Sequence, residues 1–290
     1  MTNHHDPDRL ATIRQALMPL RSVYAANITA PQAVAAMAEL GLEGQEGYFA
    51  TRAGPLGIVP AEVVRAAFYG HSPAAIAVAI PGVWDKATPS EVLSAVADSL
   101  DASLGPVVRE LGGTATELIG LLRTVAERAS TRPEGRALLA ANAALPWPDE
   151  PHRQLSHAHV LLREWRGDGH LGTLLTAGLT GIEALVVHAA WAGFPIEMIT
   201  RSRVWTPAET TVAVEGLRAR GWLSAEGDPV ITDEGRRRRD AIEDATDELD
   251  ALAWIDLSDQ EVGRLCELAA VVGEAVAAAV VRPAALGRIG

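Results

Sequence analysis

The stretch that most constrains the chain is residues 205–239, because signals for a helix start, a helix stop, a turn and a second helix start follow one another there. Thr206-Pro207-Ala208-Glu209 supplies an N-cap hydroxyl, a proline at the first helical position and a glutamate at N3. Together these make a capping box that begins a helix. In Leu217-Arg218-Ala219-Arg220-Gly221-Trp222-Leu223 a leucine stands four residues before a glycine that can take positive φ, so the helix is expected to stop at Gly221. The apolar run that follows reads as a thin strand, and Ala225-Glu226-Gly227-Asp228-Pro229 reads as a turn. Val230-Ile231-Thr232 is the returning strand, before Asp233-Glu234-Gly235-Arg236 opens another helix.

This stretch has an echo near the N-terminus. Gly41-Leu42-Glu43-Gly44 is matched by Gly178-Leu179-Thr180-Gly181, and Pro60-Ala61-Glu62-Val63-Val64 by Pro195-Ile196-Glu197-Met198-Ile199. Tyr69-Gly70-His71-Ser72-Pro73 is matched by Val204-Trp205-Thr206-Pro207. The offset stays near about 135 to 145 residues, half the chain, which reads as an internal duplication.

Helix, hairpin and helix in this order resembles the MarR-like winged-helix proteins over roughly residues 178–253. The resemblance implies a DNA-binding fold. Because MarR-like proteins usually act as two-fold dimers, two such units in one chain would resemble a fused pseudo-dimer. The expected fold class is therefore mainly α, with two tandem helical winged-helix-like repeats and one short β-hairpin wing in the second copy. Residues 1–145 form the N-terminal repeat with a degenerate wing, and residues 146–290 form the C-terminal repeat. The first copy has only Trp84-Asp85-Lys86-Ala87-Thr88-Pro89 where a wing would lie, which is too short and too polar for a hairpin. The segment Arg166-Gly167-Asp168-Gly169-His170, together with the winged-helix end, is also similar to an actinobacterial group of duplicated helical proteins. That resemblance implies a fold and no chemistry.

At 290 residues with 48% hydrophobic content, the chain can bury two modest cores or one large one. Its longest apolar runs, Ala184 to Ala192 and Ala275 to Val281, fall well short of the ~20 residues needed to span a bilayer. The start, Met1-Thr2-Asn3-His4-His5-Asp6, is polar with no apolar run behind it, and the single cysteine, Cys266, excludes an intramolecular disulfide. These features lead to the expectation of a cytoplasmic protein with no membrane partner.

Six histidines lie beyond the N-terminal pair, and five fall between residues 152 and 188. His152 and His159 are seven apart on one helix face, while His157 points elsewhere. No pair has the spacing of a helical metal clamp and no HExxH or CxxC is present, so no metal site is expected. The densest polar cluster is Arg166-Gly167-Asp168-Gly169-His170, read as a helix break with Asp168 as the N-cap of a helix from His170. A guanidinium, a carboxylate and an imidazole at a helix N-terminus suit a small anion or carboxylate. Tyr48, Phe49 and Arg52, in the glycine-rich segment 41–57, read equally as a pocket lining or as a loop packed over the core. The candidate ligand-binding residues are thus Arg52, His71, His152, His157, Arg166, Asp168, His170 and His188. His188, inside an apolar helix, reads first as a core residue. No cofactor is specified, and convergence of several histidines would admit haem or another planar ligand. Trp147, Trp165, Trp191, Trp205 and Trp222 would suit a ligand that is aromatic and acidic.

A net charge of −12 opposes generic affinity for nucleic acid. The winged-helix segment is less acidic than the rest, since Arg201, Arg203, Arg218, Arg220 and the run Arg236 to Arg239 balance its carboxylates. Arg201, Arg203, Arg218, Arg236 and Arg237 are the candidate phosphate contacts. The reading helix itself begins with Ala208, Glu209, Thr210, Thr211 and Ala213, all small or acidic, and the wing carries Glu226 and Asp228. Two functions are compatible with these residues. One is a small-molecule-binding regulator with weakened DNA reading. The other is an enzyme or haem-type carrier on a scaffold that has lost its reader. Either would exist as a monomeric pseudo-dimer or as a homodimer.

Overall fold

A computed structural model describes residues 6–281, so the polar start up to His5 lies outside the described residues. The chain is built of helices: α1 (Pro7–Ala16), α2 (Arg21–Ile28), α3 (Pro31–Glu39), α4 (Gln45–Ala53), α5 (Ala61–Ala67), α6 (Pro73–Lys86), α7 (Pro89–Ser103), α8 (Gly105–Leu111), α9 (Gly113–Ser130), α10 (Ala137–Ala143), α11 (Pro151–Thr176), α12 (Gly181–Ala192), α13 (Ile196–Ser202), α14 (Pro207–Ala219), α15 (Asp233–Ala251) and α16 (Asp259–Val276). No single helix among the described residues is long and apolar enough to cross a membrane.

Two compact units emerge, each drawing on both halves of the sequence. Among the described residues, 6–59, 79–168 and 247–281 make the first, and 60–78 and 169–246 make the second.

The first unit is a helical assembly with a large apolar core. That core takes Leu20 and Val23 from α2 and the turn before it, Leu118, Leu122 and Val125 from α9, Leu161 and Trp165 from α11, and Leu265 and Val272 from α16. Helix starts here are written locally. Thr88 with Glu91 and Ser258 with Glu261 form complete capping boxes. Residues 7–28 form two helices rather than one. Pro19 lacks an N–H and its ring collides with the preceding turn, so α1 stops at Ala16 and α2 begins at Arg21. The resulting bend seats against α16, where a Cβ on Gly273 would lie 2.3 Å from the Pro19 carbonyl oxygen. Arg9 is buried, donating to the Trp254 and Leu257 carbonyls at 2.9 and 2.8 Å and pairing with Asp259.

A larger departure concerns residues 166–170. The expected break at Gly167-Asp168-Gly169 does not occur, and α11 runs unbroken through it. Each glycine costs a helix interior only about 1 kcal/mol, which flanking contacts can offset. Asp168 does cap a helix, but a different one: its Oδ2 accepts from the amides of Leu138 and Leu139, both at 3.0 Å, at the start of α10. Its neighbours on α11 contribute to the same support. Arg136 donates to the Trp165 carbonyl at 3.2 Å and lies 3.8 Å over the Trp165 ring.

The second unit has its own core, formed by Ile182, Val186 and Val187 of α12, Ile196 of α13, Ala213 and Leu217 of α14, and Trp222, Leu223, Ile231 and Ile242 beyond them. Thr180 with Glu183 and Thr206 with Glu209 complete capping boxes for α12 and α14. α14 ends in a Schellman closure, with Trp222 N–H on the Leu217 carbonyl (2.9 Å), Gly221 N–H on the Arg218 carbonyl (3.0 Å) and Gly221 at φ +73°. The expected hairpin is reduced. No strand forms among the described residues, and the returning chain makes a single antiparallel bridge, Leu223 to Ile231. Ser224 N–H to Val230 O (2.8 Å) and Thr232 N–H to Trp222 O (3.1 Å) flank that bridge.

Candidate functional site

The segment read from the sequence as a helix-turn-helix falls within the second unit. α12, α13 and α14 follow one another with a left-handed glycine, Gly193, after the first and a tight turn at residues 203–206 before the third. That turn holds Val204 at φ +62°, a conformation costly for a β-branched residue. It is held from outside by the segment linking α5 to α6. Ser72 N–H donates to the Arg203 carbonyl (2.9 Å), the Trp205 indole N–H donates to the Gly70 carbonyl (2.8 Å), and Tyr69 Oη donates to the Leu179 carbonyl. Gly181 sits so close to this segment that a Cβ would fall 1.8 Å from the Tyr69 carbonyl oxygen.

The exposed side of α14 presents Ala208, Glu209, Thr211, Val212 and Glu215, and no basic residue. The Glu209 carboxylate accepts from Thr206 N–H (2.9 Å) and Thr206 Oγ1 (2.7 Å), which hold its pKa below the usual carboxylate range and fix a negative charge at the helix start. The arginines around it divide into two kinds. Arg201 and Arg236 are exposed and Arg203 is half-buried. Arg218 is structural, its guanidinium donating to the Ser224 and Gly227 carbonyls at 2.5 and 2.6 Å and so clamping the turn after α14.

The run Arg236 to Arg239 at the start of α15 is mostly absorbed by neighbours. Arg237 and Arg238 pair with Glu234, and buried Arg239 pairs with Glu243 while lying 5.0 Å over the Trp191 ring. These pairs offset the unfavourable meeting of positive charge with a helix N-terminus.

The candidate ligand residues acquire individual partners. Arg52 pairs with Glu164 at 3.2 Å and donates to Tyr48 Oη at 3.2 Å. His152 Nε2 lies 2.7 Å from Asp101 Oδ1, and the Arg153 guanidinium, with His152 second, holds the Asp101 carboxyl far below its usual range. His157 packs edge-on against Trp147 at 4.8 Å, and burial lowers its pKa to about 4. Arg166 pairs with Asp247 (2.7 Å) and Asp250 (3.5 Å). In the second unit, His170 Nδ1 meets Thr246 Oγ1 at 2.9 Å, His71 Nδ1 lies 3.3 Å from the Phe68 carbonyl, and His188 packs near Trp191 and Phe194.

Burial raises the Asp168 carboxyl to about 6, against the pull of the two amides it accepts from and of Arg136. Since α11 is continuous there, Arg166, Asp168 and His170 do not stand at a helix N-terminus, and the backbone amides expected to meet an anion are spent inside the helix. Among the described residues no group of three His, Cys, Asp or Glu could hold a metal ion.

The sequence reading missed the acids that receive the arginines. Glu164 sits between Arg163 and Trp165 in α11, and Asp247 and Asp250 lie three apart on one face of α15. A charge at a core-facing position was the available signal.

No curated protein and no solved structure matches the chain significantly. Residues 11–283 match the sequence profile described as a helix-turn-helix family, nearly the whole chain rather than the α12–α14 segment alone. On that match the chain belongs to this helix-turn-helix family.

Proposed function

We propose that the protein is a DNA-binding regulator whose affinity for DNA responds to a small molecule, with α14 as the reading helix and Arg201, Arg203, Arg236 and Arg237 as the phosphate contacts. The observation that carries the reading is the three-helix arrangement α12–α14, with α14 exposed along one side and followed by a turn joined by a single antiparallel bridge, in a chain of helix-turn-helix family. Its base readout is weak. Ala208, Thr211 and Val212 offer methyl groups suited to thymine methyls, while Glu209 and Glu215 repel phosphate. Affinity then rests on the flanking arginines and is strongly salt-dependent.

The tandem repeat belongs to this proposal, and three observations favour it. Gly41 with Leu42 and Gly178 with Leu179 end α3 and α11 with the same pair of bonds, Leu42 N–H to Met37 O and Leu179 N–H to Leu174 O among them. Pro60 and Pro195 stand as N-caps of α5 and α13, and Pro73 and Pro207 open α6 and α14. The two equivalent turns also meet each other. Ser72 N–H donates to the Arg203 carbonyl and the Trp205 indole to the Gly70 carbonyl, so the two segments matched by the repeat lie against each other.

Fluorescence anisotropy of a labelled genomic duplex mixture at about 50 and 200 mM salt tests the reading. Binding is expected to weaken steeply across that range. Arg236→Ala combined with Arg237→Ala should reduce the salt slope by about 2. No binding at the lower salt, or an unchanged slope in the double variant, refutes it.

A further inference from the structure

Helix-turn-helix proteins read base edges with the first residues of the motif's second helix, and a two-fold pair of readers must reach half-sites about 34 Å apart. In the tandem repeat proposed above, the reader of the second copy is α14 and its counterpart in the first copy is α6, opened by Pro73 as α14 is opened by Pro207. The start of α6, up to Val78, falls in the same compact unit as α14. There the turns that lead into the two helices lie against each other. Ser72 N–H donates to the Arg203 carbonyl at 2.9 Å, and the Trp205 indole N–H donates to the Gly70 carbonyl at 2.8 Å. Arg203 stands three residues before Thr206, the N-cap of α14, a span of at most about 11 Å of chain. The first turns of α6 and α14 are therefore held well short of the spacing that two readers need. Nor can they share a groove, since the major groove, about 12 Å wide, admits one helix.

The two helix starts also differ in exposure. Thr206, Pro207, Ala208 and Glu209 are exposed at the head of α14. His71 and Ser72, at the head of α6, are 5% and 2% exposed. Charge separates the copies as well. Arg201 and Arg203 correspond in the repeat to Ala66 and to Phe68, which is buried. The exposed side chains at the start of α6, those of Ala74, Ala77 and Val78, carry no group that could bond to a base or a phosphate. The Gly70 carbonyl and the Ser72 amide are instead spent on the turn that holds Val204 at φ +62°, so the first copy acts as a brace for the reader of the second.

We infer that each chain carries one DNA reader, α14, and that one chain engages a single half-site in one major groove rather than both halves of a palindrome. Reading by both copies of one chain would require α6 and α14 to part at residues 70–72 and 203–205, breaking both bonds that join them. The inference rests on the proposed DNA reading and deepens it by naming the class of DNA bound.

The test is fluorescence anisotropy of the full chain with labelled random-sequence duplexes of about 12 and 24 base pairs, which hold one and two half-sites, at about 50 mM salt. Sedimentation velocity counts the chains on each duplex. Shortening the duplex is expected to weaken binding by less than about 10-fold, because only the number of binding positions changes, whereas a chain with two readers would lose its second contact and roughly 100-fold or more in affinity. Thr211→Tyr adds bulk to the exposed side of α14 and should weaken binding roughly 10-fold, while Ala77→Tyr, on the exposed side of α6, should leave it within about 2-fold. Both positions are exposed, so both variants should melt with the parent. A larger loss on shortening that comes with two chains on the longer duplex fits one reader per chain. The same loss with one chain per duplex overturns the inference and leaves the DNA reading standing, as does Ala77→Tyr weakening binding as much as Thr211→Tyr. No binding to either duplex overturns the DNA reading and this inference with it.

Discussion

Asp168→Asn separates two roles that one carboxylate plays in this fold. Asp168 Oδ2 accepts the Leu138 and Leu139 amides at the start of α10, and an asparagine oxygen in the same position can accept both. What asparagine cannot do is ionise. Burial lifts the Asp168 carboxyl from 3.8 to about 6, so the folded chain holds this proton more tightly than the unfolded chain does. The stability that follows is fully present below about pH 4 and is lost as pH rises through 6. The shift corresponds to about 3 kcal/mol.

Asp168→Asn is therefore expected to match the parent near pH 4 and to exceed it near pH 7.5 by up to about 3 kcal/mol, or roughly 5–10 °C in melting temperature for a chain of this size. Asp168→Ala instead leaves two amides without an acceptor and should cost about 3 kcal/mol near pH 4. Melting followed by far-ultraviolet circular dichroism across pH measures both. If Asp168→Asn is less stable than the parent at pH ~7.5, the charge on Asp168 contributes to the fold and the reasoning fails.

Three further outcomes follow from the same geometry. Gly181→Ala puts a Cβ 1.8 Å from the Tyr69 carbonyl and should destabilise the second unit by about 3 kcal/mol or more, seen as a lower urea midpoint; an unchanged midpoint would contradict the close seating of the 69–72 turn. Val204→Gly relieves a β-branched residue at φ +62° and should stabilise by about 1 kcal/mol after the entropy of the glycine is counted, checked by the same denaturation. Burial lowers the pKa of His157 to about 4 and of His159 to about 3, so the stability they contribute is full above about pH 6.5 and lost on acidification. Asp168 and Asp250, both raised to about 6, work against that loss below pH 6. His159→Gln should flatten the acid slope by about 1.4 kcal/mol per pH unit between pH 6.5 and 3, measured from melting curves.

The sequence by itself determined the helix boundaries that depend on local chemistry. The capping box of Thr206 with Glu209, the closure at Gly221 and the start of α15 at Asp233 involve residues within four or five positions of one another, so their geometry is written in spacing. The helical character of the chain was legible for the same reason. Residues 166–170 were misread because two glycines beside an aspartate give the same local signal whether or not a helix runs through them.

What decided between those readings was α10, some thirty residues earlier, whose free amides need an acceptor and find one in Asp168. The same holds for the acids that receive Arg52 and Arg166, for Tyr69 against Gly181, and for the neutral, buried His159 beside Tyr24. Each is a pairing of groups distant in sequence, and burial, which sets their charge and their need for partners, exists only once the helices have packed.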